Sequence, residues 1–302
     1  MTTSKIITSD EYEDTLGNKR RLIRKDPFNP VLTRHNSDGL EYLTFPMLDN
    51  TGLVKNMFTT RLGGVSKGYL ASLNLSTSKG DKPENVQENF RRIAAVIGCQ
   101  PSDFVLSDQT HTTNVMVVTR DDAGKGLTRP RGYSDVDGLI TNESGLVLTT
   151  VYADCVPLYF LDPVNKVIGL SHSGRKGTVS RMGVCTVKKM HDVFGSDPSD
   201  ILACIGPSIC GSCYEVGSEV AAEFTSAFPV SDDISSILTL KDDGKYLLDL
   251  WQANKIVLKE AGILPAHIEC TDICTCCNPE YLFSHRAAKG LRGNIGAFLE
   301  LI

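Results

Sequence analysis

The chain has 302 residues, of which 41% are hydrophobic and 22% are charged, the ordinary composition of a compact globular protein. Its net charge of -5 argues against a nucleic-acid partner, since such proteins need a basic face to neutralise phosphates. The N-terminal residues lack the pattern of a secretory signal, and no apolar stretch is long enough to span a membrane, so a membrane is not an expected partner. We therefore expect a cytoplasmic protein whose ten cysteines are reduced thiols or metal ligands.

Residues 1–45 are predicted to be an N-terminal extension, followed by one domain over residues 46–302. The extension is polar and charged, with turn-forming residues at 29–30 and 35–39. Residues 61–66 predict a strand that runs into a glycine turn, where backbone can approach a ligand closely. Asp81 and Glu84 match a helix-start capping pattern, and apolar residues at helical spacing continue that helix as far as Gly98.

From residue 104 onward, short apolar runs bounded by Gly, Pro, Asp and Asn predict buried strands. These runs lie at 115–119, 139–141, 146–152, 157–161, 167–171 and 201–205. Helices are predicted at 178–194, 218–228 and 247–261, a strand near 268, and a final segment at 296–301 of undetermined type. Strands and helices without regular alternation favour an α+β fold, a mixed β-sheet core flanked by helices in a single domain. No glycine-rich phosphate loop is present, which argues against nicotinamide, flavin and ATP chemistry.

Three residues of metal-binding type interrupt the strand pattern: His111, Cys155 and His172. Each stands at a strand end beside polar or glycine residues, where functional groups tend to lie. One predicted strand separates Cys155 from His172, so these two can meet on adjacent antiparallel strands, whereas His111 must arrive from farther along the chain. One thiolate and two imidazoles can hold a zinc ion whose fourth position is open to water, and zinc lowers the pKa of that water to about 7. The pattern predicts a zinc enzyme.

Other chemistries of the same residues remain open. One cysteine and two histidines are also the equatorial ligands of a blue-copper site, and Met182 follows His172 by ten residues. Copper is therefore the alternative cofactor, although a four-copper laccase needs more than the six histidines present. A third hypothesis is a metal-free hydrolase in which Cys155 is the nucleophile and His172 the base.

The remaining cysteines include two groups with spacings that could hold a structural zinc. These are Cys210-x-x-Cys213 and the group of Cys270, Cys274, Cys276 and Cys277. The second group is irregular. Reduced thiols in the core or in loops are the expected state of these residues.

Nine motifs make the chain resemble the family of bacterial YfiH and YlmD proteins and vertebrate FAMIN, also called laccase-domain or polyphenol oxidase proteins. In chain order they are TRLGGVS at 60–66, SLNL at 72–75, QTH at 109–111, DGLIT at 137–141, ADCVP at 153–157, HSG at 172–174, IGPSI at 205–209, CYEVG at 213–217 and FSHR at 283–286. The resemblance covers roughly residues 50 to 302 and is far more specific than any single motif.

The resemblance implies a zinc-dependent purine nucleoside phosphorylase with zinc on His111, Cys155 and His172. It implies adenosine, inosine, guanosine and methylthioadenosine as substrates with phosphate, and adenosine deaminase activity as well. Some members are linked to hydrolysis of peptidoglycan precursors, which is the reaction that a Cys155–His172 hydrolase would perform. A nucleoside-binding protein without turnover is the non-enzymatic alternative.

The motifs also suggest residues for substrate binding and catalysis. Asp154, beside the ligand Cys155, is the candidate for moving protons, with orientation of the backbone or of the ligands as an equal alternative. Phosphate requires cations, and Arg61 and Arg286, which lie in matched motifs, are predicted to bind substrate. Asn74 is predicted to hydrogen-bond the nucleoside, with a structural turn as the competing interpretation.

Two departures from the family pattern leave the preferred nucleoside open. Arg175-Lys176 stands where members usually have Trp-Arg, so an aromatic ring is replaced by a charge. Arg292-Gly293-Asn294 stands where Thr-Gly-Arg is common. Base stacking and phosphate affinity are the properties that we expect these departures to affect.

Overall fold

The computed structural model describes residues 4–302. Its strands, numbered along the chain, are β1 Lys5–Ile7, β2 Glu11–Glu13, β3 Lys19–Arg21, β4 Thr33–Ser37, β5 Leu40–Thr44, β6 Val54–Thr59, β7 Phe104–Leu106, β8 Val115–Val117, β9 Gly138–Thr141, β10 Val147–Tyr152, β11 Val156–Asp162, β12 Val167–Ser173, β13 Leu202–Ile205, β14 Glu215–Val216, β15 Leu238–Leu240, β16 Tyr246–Leu248, β17 Ile268–Cys270 and β18 Ile295–Leu301. Its α-helices are α1 Pro46–Asp49, α2 Pro83–Ile97, α3 Arg175–Val179, α4 Met182–Phe194, α5 Ser218–Ala227, α6 Ser231–Ile237 and α7 Leu250–Glu260.

Two large mixed sheets form the centre of the molecule. The first has seven strands in the order β1-β4-β5-β6-β18-β10-β7, and the second has six in the order β17-β13-β11-β12-β9-β8. Most neighbours are antiparallel, but β7 pairs with β10, β8 with β9 and β13 with β17 in parallel. The predicted α+β fold with a mixed β core is confirmed.

The main hydrophobic core lies between the two sheets. It contains residues of β6 and β10 from the first sheet and of β11 and β12 from the second. The Tyr159 hydroxyl donates to the carbonyl oxygen of Met57 across this interface at 2.8 Å. The buried tyrosine therefore has a hydrogen-bond partner for its hydroxyl group. Strands β11 and β12 are buried along their whole length, which explains their continuous apolar sequence.

Helices cover the outer faces of both sheets. Helix α2 starts at Pro83, whose fixed φ suits the first helical position, and ends before Gly98 at φ 83°. On the buried side of this helix, the Phe90 ring packs edge-on against Phe104 and Phe298 of the first sheet. Helices α4 and α7 pack on the other face of the second sheet, where a second apolar cluster forms. No helix in residues 4–302 has the length and apolar character to cross a bilayer.

Several element boundaries differ from the sequence predictions. Asp81 is not the N-cap residue of α2, because the helix begins after Lys82. The Asp81 carboxylate accepts hydrogen bonds from the side chains of Ser66, Asn74 and Asn85 and from the N–H of Lys82. The helix predicted at 178–194 is divided into α3 and α4 by Arg181 at φ 63°. The helix predicted at 247–261 begins at residue 250, because Asp249 is its N-cap residue and the Asp249 side chain accepts a hydrogen bond from the N–H of Gln252. The undetermined segment at the C-terminal end is β18, in the interior of the first sheet.

The segment predicted as an extension contributes to the first sheet. Strands β4 and β5 pair with each other, and β5 pairs in turn with β6. Strands β2 and β3 form a separate hairpin. A boundary between residues 45 and 46 stays a prediction.

Candidate metal centre and substrate cavities

The strand pair β11–β12 brings Cys155 and His172 together. The two strands are antiparallel neighbours with Pro157 opposite His172, and Cys155 directly precedes β11. Since side chains alternate along an extended chain, Cys155 faces the same side as Pro157 and therefore as His172. His111, in the loop between β7 and β8, adopts a left-handed backbone conformation at φ 68°. One ligand atom of each of the three residues lies within 4.8 Å of the others.

A buried carboxylate, Asp137, positions both histidines. Its Oδ1 lies 2.7 Å from Nδ1 of His172, and it accepts the backbone N–H of His111 at 3.2 Å. The N–H groups of Thr110 and Thr112 donate to its other oxygen at 3.0 and 2.9 Å. Because Asp137 occupies Nδ1, the Nε2 of His172 is left to face Cys155, and the loop that carries His111 is fixed to the start of β9.

The electrostatics of the cluster favour a thiolate beside an imidazolium when no metal is bound. Burial raises the pKa of Cys155, but the charge of His172 and hydrogen bonds from His111 and His172 outweigh it and lower the pKa to about 6. Burial lowers the pKa of His172, but the Cys155 thiolate and the Asp137 hydrogen bond raise it to about 9. Each group stabilises the charged form of the other.

These residues fit a zinc ion. Zinc bonds of about 2.0 to 2.3 Å place neighbouring tetrahedral ligands between about 3.3 and 3.8 Å apart, which is compatible with ligand atoms that all lie within 4.8 Å of one another. Gly174 leaves room for these side chains, because a Cβ at that position would lie 2.7 Å from the Cys155 Sγ and 3.4 Å from the Cδ2 of His111. The Asp137–His172 pair is also the usual arrangement behind a metal-bound histidine.

Two cavities meet at this cluster. The first, of about 350 Å³, and the second, of about 310 Å³, share His111, Ala153, Cys155 and Arg292 in their walls. The first is lined by polar residues, namely Ser76, Thr77, Ser78, Ser107 and Gln109, together with Lys79 and the ion pair that Arg131 forms with Asp108. The second is lined by Ile209, Tyr214, Leu250 and the cations Arg175 and Arg286. One side of the cluster is thus polar and the other is partly apolar and aromatic.

The predicted residues Asp154 and Arg286 both line the second cavity. Asp154 accepts a hydrogen bond from the hydroxyl of Thr275 and another from the backbone N–H of Arg286, each at 2.6 Å. Arg286 donates to the carbonyl oxygen of Glu215 at 2.9 Å and lies 5.2 Å from the centre of the Tyr214 ring. Both oxygens of Asp154 are therefore engaged in holding the walls of this cavity.

The other predicted substrate residues, Arg61 and Asn74, do not line either cavity. Arg61 donates to the carbonyl oxygens of Ala71 and Pro279 and lies over the Phe283 ring at 4.5 Å. Asn74 is fully buried, and its side-chain amide oxygen, Oδ1, accepts the backbone N–H groups of Ser76 and Asn294, each at 3.0 Å. Its amide thus supports two residues of the first cavity from behind.

The departures at 292–294 place an arginine at the junction of the cavities. Arg292 lines both of them, donates to the Oδ1 of Asn294, and leaves its Nε without a partner among the described residues. Burial lowers its pKa. Arg175 lines the second cavity 3.3 Å from Glu223, whereas Lys176 is exposed. Arg292 is therefore the arginine of this segment that reaches both cavities, and the side chain of Asn294 accepts its hydrogen bond.

Asp137, Tyr214 and Arg292 are the site residues that sequence reasoning did not assign. Asp137 opens a matched motif directly before a predicted strand, and a charged residue in that position was the available signal. Tyr214 also lies in a matched motif. Its place in the wall depends on the loops around Cys210 and Cys274, which no local pattern encodes.

The fold and the site define a member of the laccase-domain family. Residues 55–302 match the family described as multi-copper polyphenol oxidoreductase laccase. The chain belongs to this family, which includes the YfiH, YlmD and FAMIN proteins.

Relatives with assigned activities support the same grouping. The chain is 39% identical over 243 residues to "Purine nucleoside phosphorylase YlmD" of Bacillus subtilis, covering 80% of this chain and 86% of the relative. It is 36% identical over 253 residues to "Purine nucleoside phosphorylase LACC1" of mouse, covering 82% of this chain but only 55% of that protein. The crystal structure of Bacillus licheniformis YfiH superposes with a TM-score of 0.81 at 33% identity, covering 86% of this chain and 96% of that one.

Proposed function

We propose that this protein is a zinc-dependent purine nucleoside phosphorylase that also deaminates adenosine. The observation that carries the proposal is the meeting of a polar, cationic cavity and a partly aromatic cavity at the His111, Cys155 and His172 cluster. The substrates proposed are adenosine, inosine, guanosine and methylthioadenosine with phosphate. Relatives that carry the name purine nucleoside phosphorylase support purine nucleosides as the class of substrate.

In phosphorolysis a phosphate oxygen attacks the anomeric carbon of the ribose while the bond from that carbon to the purine nitrogen breaks. The bonding electrons leave with the base, which must gain a proton or a hydrogen bond. Phosphate in the first cavity would meet Lys79, Arg131 and Arg292, and Arg292 also faces the second cavity, so it can stay in contact with the phosphate as the bond forms.

The second cavity is the proposed site of the base. Tyr214 offers an aromatic face and Ile209 and Leu250 offer apolar contact, which suits a flat purine. His285 lines the same cavity and is the side chain from which the departing base can take a proton. Asp154 is proposed to position the Arg286 backbone and the Thr275 loop through its two hydrogen bonds.

Zinc on His111, Cys155 and His172 would supply a Lewis acid that polarises a substrate oxygen or lowers the pKa of water. Asp137 would keep the Nε2 of His172 directed at that position. Asn74 is proposed to act indirectly, since it holds Ser76 and Asn294 in the wall of the first cavity. Arg61 is proposed to act at one step further, since it holds the carbonyl oxygens of Ala71 and Pro279.

The test is chromatography of reactions with inosine and with adenosine, each with and without phosphate. We expect hypoxanthine and ribose 1-phosphate from inosine only when phosphate is present. From adenosine we expect inosine and ammonia with or without phosphate, and adenine with ribose 1-phosphate only when phosphate is present. Cys155→Ser is expected to abolish both reactions, whereas Cys185→Ser, on helix α4 away from the cluster, is the matched control. Absence of product from zinc-loaded protein would refute the proposal.

The alternatives give different results in the same preparation. A copper-dependent polyphenol oxidase would consume dioxygen with a phenol only after copper loading. A Cys155–His172 hydrolase would keep full activity on peptidoglycan precursors after zinc removal. Inosine binding without turnover would indicate a binding protein.

A further inference from the structure

Four thiols that the nucleoside chemistry does not use converge behind the second cavity. Cys210 and Cys213 belong to the loop after β13, and Cys274 and Cys277 to the loop after β17. Their sulfur atoms all lie within 4.8 Å of one another. Cys270 and Cys276, which share the same stretch of sequence, are not members of this group. The group is separate from the cluster of His111, Cys155 and His172.

The fold brings these loops together because β13 and β17 are parallel neighbours. Ile205 is opposite Cys270 at their carboxyl ends, and the two chains continue side by side beyond the sheet. Ser208 forms a bridge with Cys274, and the N–H of Thr275 donates to the carbonyl oxygen of Ser208 at 3.1 Å. The backbone therefore fixes the approach of the two Cys-x-x-Cys segments, whatever the state of the thiols.

Each segment makes a turn with its sulfur atoms on the side facing the other segment. The N–H of Cys213 donates to the carbonyl oxygen of Cys210 at 3.0 Å. The N–H of Cys210 donates across to the Sγ of Cys274 at 3.2 Å. Amide hydrogen bonds to sulfur are the kind of outer contact that orients the ligands of a metal site.

The spacing of the sulfur atoms agrees with a tetrahedral zinc ion. Zinc–sulfur bonds of about 2.3 Å separate the sulfurs of a tetrahedron by about 3.8 Å, and the Sγ atoms of Cys213 and Cys277 are 3.5 Å apart. All four cysteines are free thiols. Two Cys-x-x-Cys pairs contributed by separate loops are a common ligand arrangement of structural zinc sites.

The surroundings provide burial and a compensating charge. Cys210 and Cys274 are buried, and Cys213 and Cys277 are partly buried. Four thiolates around Zn²⁺ leave a net negative charge, and the ammonium of Lys25 lies close by, where it donates to the hydroxyl of Ser212 at 2.9 Å. Lys25 is itself held by a backbone hydrogen bond to Asp272 at 2.7 Å.

We propose that Cys210, Cys213, Cys274 and Cys277 bind a structural zinc ion, a second metal centre of this protein. The centre holds one wall of the second cavity, because Tyr214 follows Cys213 directly and Thr275, next to Cys274, donates its hydroxyl hydrogen to Asp154. Metal binding requires the four thiols to lose their protons, which pass to solvent, and involves no change in oxidation state.

The first experiment measures zinc per chain in protein purified without chelators. We expect two zinc ions per chain in the wild type and one each in Cys155→Ser and in the double variant Cys274→Ser/Cys277→Ser. The matched control Cys99→Ser/Cys185→Ser, which removes two thiols outside both clusters, is expected to keep two. A zinc content that is unchanged in Cys274→Ser/Cys277→Ser would overturn the proposal.

The second experiment needs only chains that keep the four thiols. Thiol alkylation followed by peptide mass spectrometry is performed on the wild type before and after chelation, and Cys155→Ser is reconstituted with Co²⁺. We expect the four cysteines to be protected together until the metal is removed, and the Co²⁺ protein to show the intense charge-transfer absorption of an all-thiolate tetrahedral site. Ready alkylation before chelation, or disulfides joining the two segments, would contradict the proposal even if the double variant does not fold.

Discussion

Substitution of Gly174 by alanine tests whether the space at the His111, Cys155 and His172 cluster is needed for a metal. Gly174 is the N-cap residue of α3 with φ -74° and ψ -170°, a conformation that any residue adopts. The alanine therefore carries no penalty from backbone conformation. Its Cβ would lie 2.7 Å from the Cys155 Sγ, so the substitution acts directly on a predicted ligand.

The expected magnitude follows from that distance. The sulfur must retreat by about 0.7 Å to reach an ordinary contact of 3.4 Å, whereas a metal site tolerates ligand displacements of only about 0.2 Å. We expect zinc affinity to fall by about tenfold or more, which is about 1.4 kcal/mol. Overpacking of this kind also costs about 1 to 3 kcal/mol in the free energy of unfolding.

The assay is zinc competition with a chromophoric chelator, accompanied by urea unfolding of the metal-free protein. Gly217→Ala is the matched control, because Gly217 is the N-cap residue of α5 with φ -78° and ψ 171°. Its Cβ would have its nearest neighbour 4.0 Å away, in Glu219. Wild-type zinc affinity in Gly174→Ala, or an equal loss in Gly217→Ala, would show that the cluster does not bind zinc as argued.

Three further substitutions test the surroundings of the site. Asp137→Asn is expected to weaken zinc binding about 10- to 100-fold by chelator competition, while Asp135→Asn, on the same loop but exposed, leaves it unchanged. Arg292→Gln is expected to raise the KM for phosphate about tenfold or more, as loss of a charge-assisted hydrogen bond does, with Arg292→Lys retaining most of the affinity; equal KM values in all three proteins would exclude contact with phosphate. Asp81→Asn is expected to destabilise the protein at neutral pH by about 1 to 3 kcal/mol. Although burial raises the pKa of Asp81, hydrogen bonds from Ser66, Asn74 and Asn85 outweigh it and lower the pKa, so stability is lost as the pH falls through 3.8 and below. Urea unfolding should show the difference from wild type narrowing over that range, and a constant difference would contradict this explanation.

The strand pair β11–β12 could be predicted from sequence together with the proximity of Cys155 and His172. Both strands are buried on both faces and therefore appear as continuous apolar runs, and the short return between them allows only an antiparallel pair. The position of Cys155 before one strand and of His172 within the next then places them side by side. His111 could be selected as a candidate by its residue type. Its approach to Cys155 and His172 depends on the parallel pairing of β8 with β9, which no local sequence pattern indicates.

Residues that act through hydrogen bonds were harder to assign. Asn74 and Asp154 lie in matched motifs, and sequence alone left their roles divided between substrate contact and support. In the structure, the side-chain Oδ1 of Asn74 and both carboxylate oxygens of Asp154 accept hydrogen bonds from neighbouring loops. Which polar atoms are engaged depends on loops that meet only after folding, so residue type and spacing cannot decide it.

Two buried carboxylates, Asp137 and Asp154, explain how His111, Cys155 and His172 are held close together although they are distant in sequence. His111 and Asp154 both have positive φ, at 68° and 88°, a conformation that costs about 1 to 2 kcal/mol for a residue other than glycine. Asp137 offsets this cost at His111 by accepting its N–H. At Asp154 the side chain accepts hydrogen bonds from Thr275 and from the Arg286 backbone. The His111, Cys155 and His172 cluster is therefore organised by the fold itself, so that most of the binding free energy of a metal would appear as affinity rather than being consumed in ordering the loops.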